Sequence, residues 1–197
     1  MGGADTTEDV RPWAGQADAA GSRVSAMPAA EAHQGQAPEA IFSASDAVAK
    51  LWVQAYQGEV LGEALFAAIA ALVDDEKRAR KLRVLAALER RTKEAVAPAL
   101  DRAGLSTDPD PEMLAAAEAL APASAGLGWD QLMASFGPIT AQFLALYVRI
   151  GELDPSERAA ADLLVAHEEA LAGFARAELA GDGAHSLDAV EALPHMR

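Results

Sequence analysis

Hydrophobic residues recur every three or four positions over most of the chain after residue 43. This spacing is typical of helices that bury one face. The pattern predicts four long helices separated by turns and a crossover. They run from Ser43 to Val73, from Asp75 to Ala103, from Trp129 to Glu152 with a break at Gly137-Pro138, and from Asp154 to about Gly181.

The connections between these helices predict how they are arranged. Tight turns join the first helix to the second and the third to the fourth. A crossover over residues 106–128, with a short helix at 111–121, separates the two pairs. Two antiparallel hairpins with a long link between them are typical of a ferritin-like four-helix bundle. We therefore predict an all-α, ferritin-like bundle for residues 43–181.

The two ends of the chain show no comparable pattern. Residues 1–42 are rich in Ala, Gly, Asp and Gln with scattered prolines, which predicts a disordered acidic tail. Residues 182–197 predict a short C-terminal extension. Its apolar residues Leu187, Val190 and Leu193 are spaced to lie on the bundle as a turn or two of helix.

Composition narrows the classes of function. Of the 197 residues 49 are Ala, the best helix former, and none is Cys, which excludes a disulfide scaffold, a thiolate metal site and a cysteine nucleophile. The net charge of −14 argues against nucleic-acid binding. No window has the length and hydropathy of a membrane span, and the N-terminus lacks the features of a secretory signal, so we expect a cytoplasmic protein. The acidic surface and alanine-rich seams suit a homo-oligomer, and a small-molecule or protein partner stays unidentified.

Four polar residues fall where the apolar stripes need a core residue: Glu59 on the first helix, Glu89 and Thr92 on the second, and His167 on the fourth. Glu59 lies 15 residues before Asp74 and Glu89 lies 15 residues after it, so an antiparallel hairpin brings both glutamates to one level. The same kind of count brings His167 to that level. Because a buried carboxylate needs a partner, a metal ion or a proton, we predict a polar site at mid-bundle.

Three segments carry a family resemblance: Gly58–Phe66, Leu88–Glu94 and His167–Leu171. They resemble the ferritin-like superfamily, which includes rubrerythrins and carboxylate di-iron oxidases. That resemblance implies a metal-binding glutamate on the first and third helices, and a Glu-x-x-His on the second and fourth. Glu59, or Glu63 one turn later, matches the first glutamate, and Glu89 matches the glutamate of the second helix.

The sequence departs from the family pattern at three places. Thr92 stands where the second helix would carry its histidine, and Leu164 stands where the fourth would carry its glutamate. The third helix has no carboxylate near its middle. A complete di-iron site is therefore excluded, and His167 with Glu168 remains as the contribution of the fourth helix.

Three interpretations of the cluster stay open. In the first, the two glutamates and His167 form a reduced site for iron or manganese, completed by water or Glu168 and suited to oxygen-dependent oxidation. In the second, the same residues are a polar cluster without metal or cofactor in a ferritin-like scaffold. In the third, they line an organic-ligand or catalytic pocket without metal. Four further residues are candidates for the pocket lining: Tyr56, Glu63, Thr92 and Tyr147. Whether the protein is an enzyme is left open.

Overall fold

The computed structural model describes residues 44–197, so the predicted tail lies outside the described residues. All regular structure within this range is helical, which confirms the all-α prediction for it. The helices are α1 (Ala44–Leu72), α2 (Glu76–Arg102), α3 (Pro111–Ala125), α4 (Trp129–Leu153), α5 (Arg158–Leu179) and α6 (Asp188–Glu191), with 3₁₀ turns at Pro155–Glu157 and Pro194–Met196. None of these helices has the length and hydropathy needed to cross a membrane.

Local signals in the sequence set the bounds of α2. The Asp75 side chain accepts hydrogen bonds from the backbone N–H groups of Lys77 (2.9 Å) and Arg78 (3.2 Å), which satisfies donors that a helix start leaves unpaired. Gly104 follows the helix with a φ of 68°, a left-handed conformation that glycine adopts without a steric cost. Both ends agree with the predicted helix.

Two predictions about the later helices are wrong. α4 continues through Gly137-Pro138 without a break, and α3 extends to Ala125 where a loop was predicted. Pro138 has no N–H group, so the carbonyl group of Ala134, four residues earlier, loses its hydrogen bond within the helix. Both residues lie on the exposed face of α4, where water can hydrogen-bond to that carbonyl group. The apolar spacing of the third predicted helix places Ile139 on its buried face, but Ile139 is 45% exposed and Thr140 is buried instead.

The helices pack in an order that follows the connections. α1 packs against α2, its neighbour across a short turn, and α4 packs against α5 in the same way. Contacts of α2 with α5, and of α1 with α4, join the two pairs. The crossover helix α3 lies along α1. The specific ferritin-like four-helix arrangement stays a prediction.

Buried apolar residues form two separate clusters. The Trp52 cluster consists of Trp52, Ala55, Tyr56, Val60, Val96, Ala99, Leu100, Tyr147, Ile150, Ala161 and Leu164. The Phe174 cluster consists of Ile69, Ala70, Leu82, Leu85, Leu88, Ala121, Leu132, Met133, Phe136, Ala170, Leu171, Phe174, Ala175 and Val190. Along α2, α4 and α5, buried polar residues stand where the chain passes from one cluster to the other: Glu89, Thr92, Thr140, His167 and Glu168.

Candidate metal centre

Three side chains from three helices meet in this polar layer. Glu59 comes from α1, Glu89 from α2 and His167 from α5, and one ligand atom of each lies within 4.8 Å of the others. Their exposures are 1%, 4% and 1%, so bulk water does not solvate them. The convergence of these three residues agrees with the sequence prediction.

The distances within the trio suit a shared metal ion better than direct hydrogen bonds. Nε2 of His167 lies 3.6 Å from Oε2 of Glu59 and 3.6 Å from Oε2 of Glu89. Both separations exceed the range of a good N–H···O hydrogen bond. Two atoms that each lie about 2.1 Å from one metal ion, at an angle of roughly 120°, are about 3.6 Å apart.

In Glu59 and His167 one polar atom is held by a hydrogen bond, whereas the atom that faces the rest of the trio has no partner among the described residues. The Tyr147 hydroxyl donates to Oε1 of Glu59 at 2.7 Å, and Oγ1 of Thr92 lies 2.9 Å from Nδ1 of His167. Oε2 of Glu59 and Nε2 of His167 are buried and make no hydrogen bond within residues 44–197. Metal-ligating side chains are commonly oriented in this way through the atom that faces away from the ion.

A glycine on α1 makes room for the third ligand. A Cβ atom added at Gly62 would lie 2.6 Å from Oε2 of Glu89 and 2.7 Å from its Cδ. Any larger residue would therefore displace the Glu89 carboxyl group, and the close approach of α1 to Glu89 depends on this glycine.

The electrostatics of the centre favour an added cation. Burial and the charge of Glu59 raise the pKa of Glu89 well above its ordinary value. Burial lowers the pKa of His167 despite the opposing effect of Glu59, which favours the neutral, metal-binding form of the ring. Among the described residues, His167 is the one ion-pair partner of Glu59 and of Glu89. No Lys or Arg of this part of the chain therefore balances the negative charge of the two carboxylates.

The other predicted site residues lie around the trio in different ways. Glu168 is 5% exposed and stands outside the group of mutually close ligand atoms. Burial and the charge of Glu59 raise its pKa to about 9. Glu63 pairs with Lys93 at 2.7 Å, and Tyr56 lies in the Trp52 cluster. The ligand role of Glu168 and the pocket roles of Glu63 and Tyr56 stay predictions.

Sequence reasoning missed one residue beside the centre. His195, assigned to the C-terminal extension, lies with its Nε2 atom 3.0 Å from Oγ1 of Thr92. The apolar spacing around Val190 predicted that this segment lies on the helices, and Val190 is indeed fully buried. No sequence signal connected His195 to Thr92, because that contact joins residues far apart in the chain.

Comparison with known proteins adds no further assignment. No family model, curated protein or solved structure matches the chain. The resemblance to ferritin-like proteins therefore stays a prediction.

Proposed function

We propose that this protein binds a single divalent metal ion, iron or manganese, through Glu59, Glu89 and His167. The observation that carries the proposal is the pair of buried, unpartnered atoms, Oε2 of Glu59 and Nε2 of His167, which face each other at 3.6 Å. A buried polar atom without a partner is costly, and a shared cation would remove that cost for both.

The donor set supports iron or manganese over other metals. Two carboxylates and one imidazole supply hard oxygen ligands with a single nitrogen, whereas zinc and copper sites are commonly richer in histidine or cysteine. The two carboxylates also balance the charge of a divalent ion in a region where burial disfavours any unpaired charge.

The same centre supports oxygen-dependent oxidation as the proposed chemistry. Three protein ligands leave coordination positions open, and bound iron or manganese would supply redox or Lewis-acid chemistry there. The chain's own contribution is positional: Tyr147 orients Glu59, Thr92 orients His167, and the apolar clusters on either side exclude bulk water.

A second candidate function has its own support in a cavity beside α5. The cavity measures about 640 Å³ and is lined by residues of α4 and α5, including Glu168 and Arg176. The raised pKa of Glu168 keeps its carboxyl group protonated at neutral pH, so the group would offer a hydrogen-bond donor to an organic ligand. In this alternative the trio is a polar cluster that needs no metal.

Metal loading of the full-length protein decides between the two candidates. The chain is stripped with a chelator, loaded separately with Fe(II) under anaerobic conditions and with Mn(II), and analysed for metal content after removal of free ions. We expect a single tightly held ion per chain. The Glu89→Gln and Glu59→Gln variants, which keep the shape of each side chain, should retain none.

The matched control is Glu169→Gln, which removes a carboxylate from the exposed face of α5. It should leave metal content unchanged. Absence of retained metal in the unmodified protein would overturn the proposal and favour the ligand-binding alternative. Equal retention by Glu89→Gln and the unmodified protein would place the ion elsewhere and would equally overturn it.

A further inference from the structure

The hydroxyl group of Thr92 stands between two imidazole rings. Its Oγ1 atom lies 2.9 Å from Nδ1 of His167 and 3.0 Å from Nε2 of His195. Thr92 is fully buried. A hydroxyl group has one hydrogen to donate and can accept at its oxygen, so it can donate to only one of the two rings.

Metal binding at the centre fixes the direction of this chain of hydrogen bonds. Nε2 of His167 can bind a cation only when it carries no hydrogen, which places the hydrogen of the neutral ring on Nδ1. Nδ1–H then donates to Oγ1 of Thr92. The Thr92 hydrogen is left for Nε2 of His195, which must therefore be an acceptor.

The opposite direction would close the centre to a cation. If Thr92 donates to Nδ1 of His167, that ring carries its hydrogen on Nε2, where it points toward the two carboxylates. An acceptor at position 195 draws the Thr92 hydrogen away from His167 and prevents this arrangement. Burial, followed by the nearby His167, lowers the pKa of His195, so this ring is neutral and has an acceptor nitrogen at neutral pH.

His195 is held in place by the C-terminal segment. Nη1 of Arg91 donates to the backbone carbonyl oxygens of His195 (3.3 Å) and Arg197 (3.4 Å). Leu193 and Met196, which precede and follow His195 in the chain, pack against the Phe174 cluster. Nδ1 of His195 is buried and has no hydrogen-bond partner within residues 44–197. The contact of Nε2 with Thr92 is therefore the hydrogen bond that orients the ring.

We propose that His195 is a positioning residue of the metal centre: by accepting the hydrogen of Thr92, it holds His167 in the tautomer that presents a bare Nε2 to the cation. This inference deepens the proposed function and rests on it, because the tautomer of His167 matters for function only if a cation binds at the centre. The C-terminal segment thereby completes the centre from outside the helices that supply the ligands. Loss of a partner of this kind commonly weakens metal affinity about 10- to 100-fold.

The first test measures the tautomer in the metal-free protein. Full-length protein with ¹⁵N-labelled imidazoles is recorded at pH 8 by long-range ¹H–¹⁵N correlation, and His167 is assigned from a His167→Gln variant. We expect the hydrogen on Nδ1 of His167. In His195→Ala and in Thr92→Val we expect a mixture of tautomers, or the hydrogen on Nε2 of His167. Thr92→Ser keeps the hydroxyl group and should keep the hydrogen on Nδ1.

The matched control is His185→Ala, since His185 belongs to the same segment but is exposed and pairs with Asp182. It should leave the His167 tautomer unchanged. A hydrogen on Nε2 of His167 in the unmodified protein would overturn the inference, as would an unchanged tautomer in every folded variant among His195→Ala and Thr92→Val. Two independent variants keep the test decisive if one of them fails to fold.

The second test measures affinity for Mn(II) alone, by electron paramagnetic resonance of the free ion. We expect His195→Ala to weaken binding about tenfold or more, and His185→Ala to change it less than twofold. If the unmodified protein binds Mn(II) and His195→Ala binds it equally well, the inference fails and the proposed function stands. If the unmodified protein binds no metal, the proposed function fails, and the tautomer measurement still decides the role of His195.

Discussion

Two clusters of polar side chains inside the helical unit contrast in how their charges are balanced. In the first, Glu178 on α5 accepts hydrogen bonds from Lys81 and, at 2.8 Å, from Nε1 of Trp129. Lys81 also donates to the carbonyl oxygen of Gly183 at 2.6 Å. The second is the candidate metal centre, which brings two carboxylates to one histidine and has no Lys or Arg among its described contacts.

The pKa values of the two clusters shift in opposite directions. Burial alone would raise the pKa of Glu178, but hydrogen bonds from Lys81, Ser186 and Trp129 outweigh it and hold the pKa below its ordinary value. Burial and neighbouring carboxylates raise the pKa of Glu89. The Glu178 cluster is thus satisfied by the chain itself, whereas the centre needs a proton or a cation from outside. This difference separates an ion pair that stabilises the fold from a cluster that suits binding.

Replacing one glutamate by glutamine in each cluster should have unequal consequences for stability. Glu178→Gln removes the partner of the largely buried Lys81, and we expect it to lower the free energy of unfolding by about 2 kcal/mol. Glu89→Gln removes a group whose charge is already disfavoured, so it should cost far less in the metal-free protein. Urea unfolding of the chelator-stripped variants measures both effects.

Adding Mn(II) should reverse that order. At a free concentration 100 times the Kd, the unmodified protein and Glu178→Gln should each gain about 2.7 kcal/mol of stability, and Glu89→Gln should gain nothing. If the unmodified protein, Glu178→Gln and Glu89→Gln all gained the same stability, the ion would bind away from Glu89, and the two clusters would not differ in metal binding.

The spacing of apolar residues predicted that Glu59, Glu89 and His167 meet, because helical periodicity and counts from a turn can be read from the sequence. Glu59, Glu89 and His167 interrupt apolar stripes, and equal counts from a tight turn place Glu59 and Glu89 at one level. Helix bounds near Asp75 and Gly104 were predictable for a similar reason, since capping and left-handed glycine are local signals.

The rest depended on contacts between distant parts of the chain. Thr140, and not Ile139, lies on the buried face of α4, which periodicity alone did not reveal. The pairing of Glu63 with Lys93 and of Thr92 with His195 follows from how separate elements pack. Nothing in the spacing of these residues encodes that packing.

The pH dependence of stability should also differ between the clusters. The pKa of Glu168 is about 9 in the folded protein and 4.5 as its ordinary value. At pH values between these two, Glu168 is protonated in the folded protein and ionised in the unfolded chain. The free energy of unfolding therefore falls as pH rises, by up to about 1.4 kcal/mol per pH unit. Glu178 acts in the opposite sense: its pKa is lowered in the folded protein, so it contributes stability that is present at neutral pH and is lost as the pH falls through that lowered pKa.

Chemical unfolding of the metal-free protein between pH 6 and pH 8 measures the effect of Glu168. The Glu168→Gln variant should flatten the decline over this range, since the amide does not ionise. Glu169→Gln, on the exposed face of the same helix, should keep the slope of the unmodified protein. An unchanged slope in Glu168→Gln would mean that Glu168 ionises normally and that burial does not hold its proton.

A single methyl group at Gly62 should disturb the centre and leave the Glu178 cluster intact. The added Cβ of Gly62→Ala would lie 2.6 Å from Oε2 of Glu89, so the ligand must shift, and we expect Mn(II) affinity to fall about tenfold. Gly173→Ala on α5 is the control, because its Cβ would come no closer than 3.9 Å to Nη2 of Arg176. That variant should keep its affinity and gain about 0.5–1 kcal/mol from the better helix propensity of Ala. Equal affinity in both variants would show that Glu89 does not need the space at Gly62.

The smallest effect concerns the hydrogen bond from Tyr147 that orients Glu59. Burial and the charge of Glu59 raise the pKa of Tyr147 well above its ordinary value, so its hydroxyl group remains a donor at neutral pH. Tyr147→Phe should lower the free energy of unfolding by about 1 kcal/mol and weaken Mn(II) binding severalfold, because Oε1 of Glu59 loses its partner while Oε2 keeps its place. Tyr56→Phe, in the same apolar cluster, should leave affinity unchanged. If Tyr147→Phe bound Mn(II) as tightly as the unmodified protein, packing alone would hold Glu59 in place, and the hydrogen bond from Tyr147 would not be needed for metal binding.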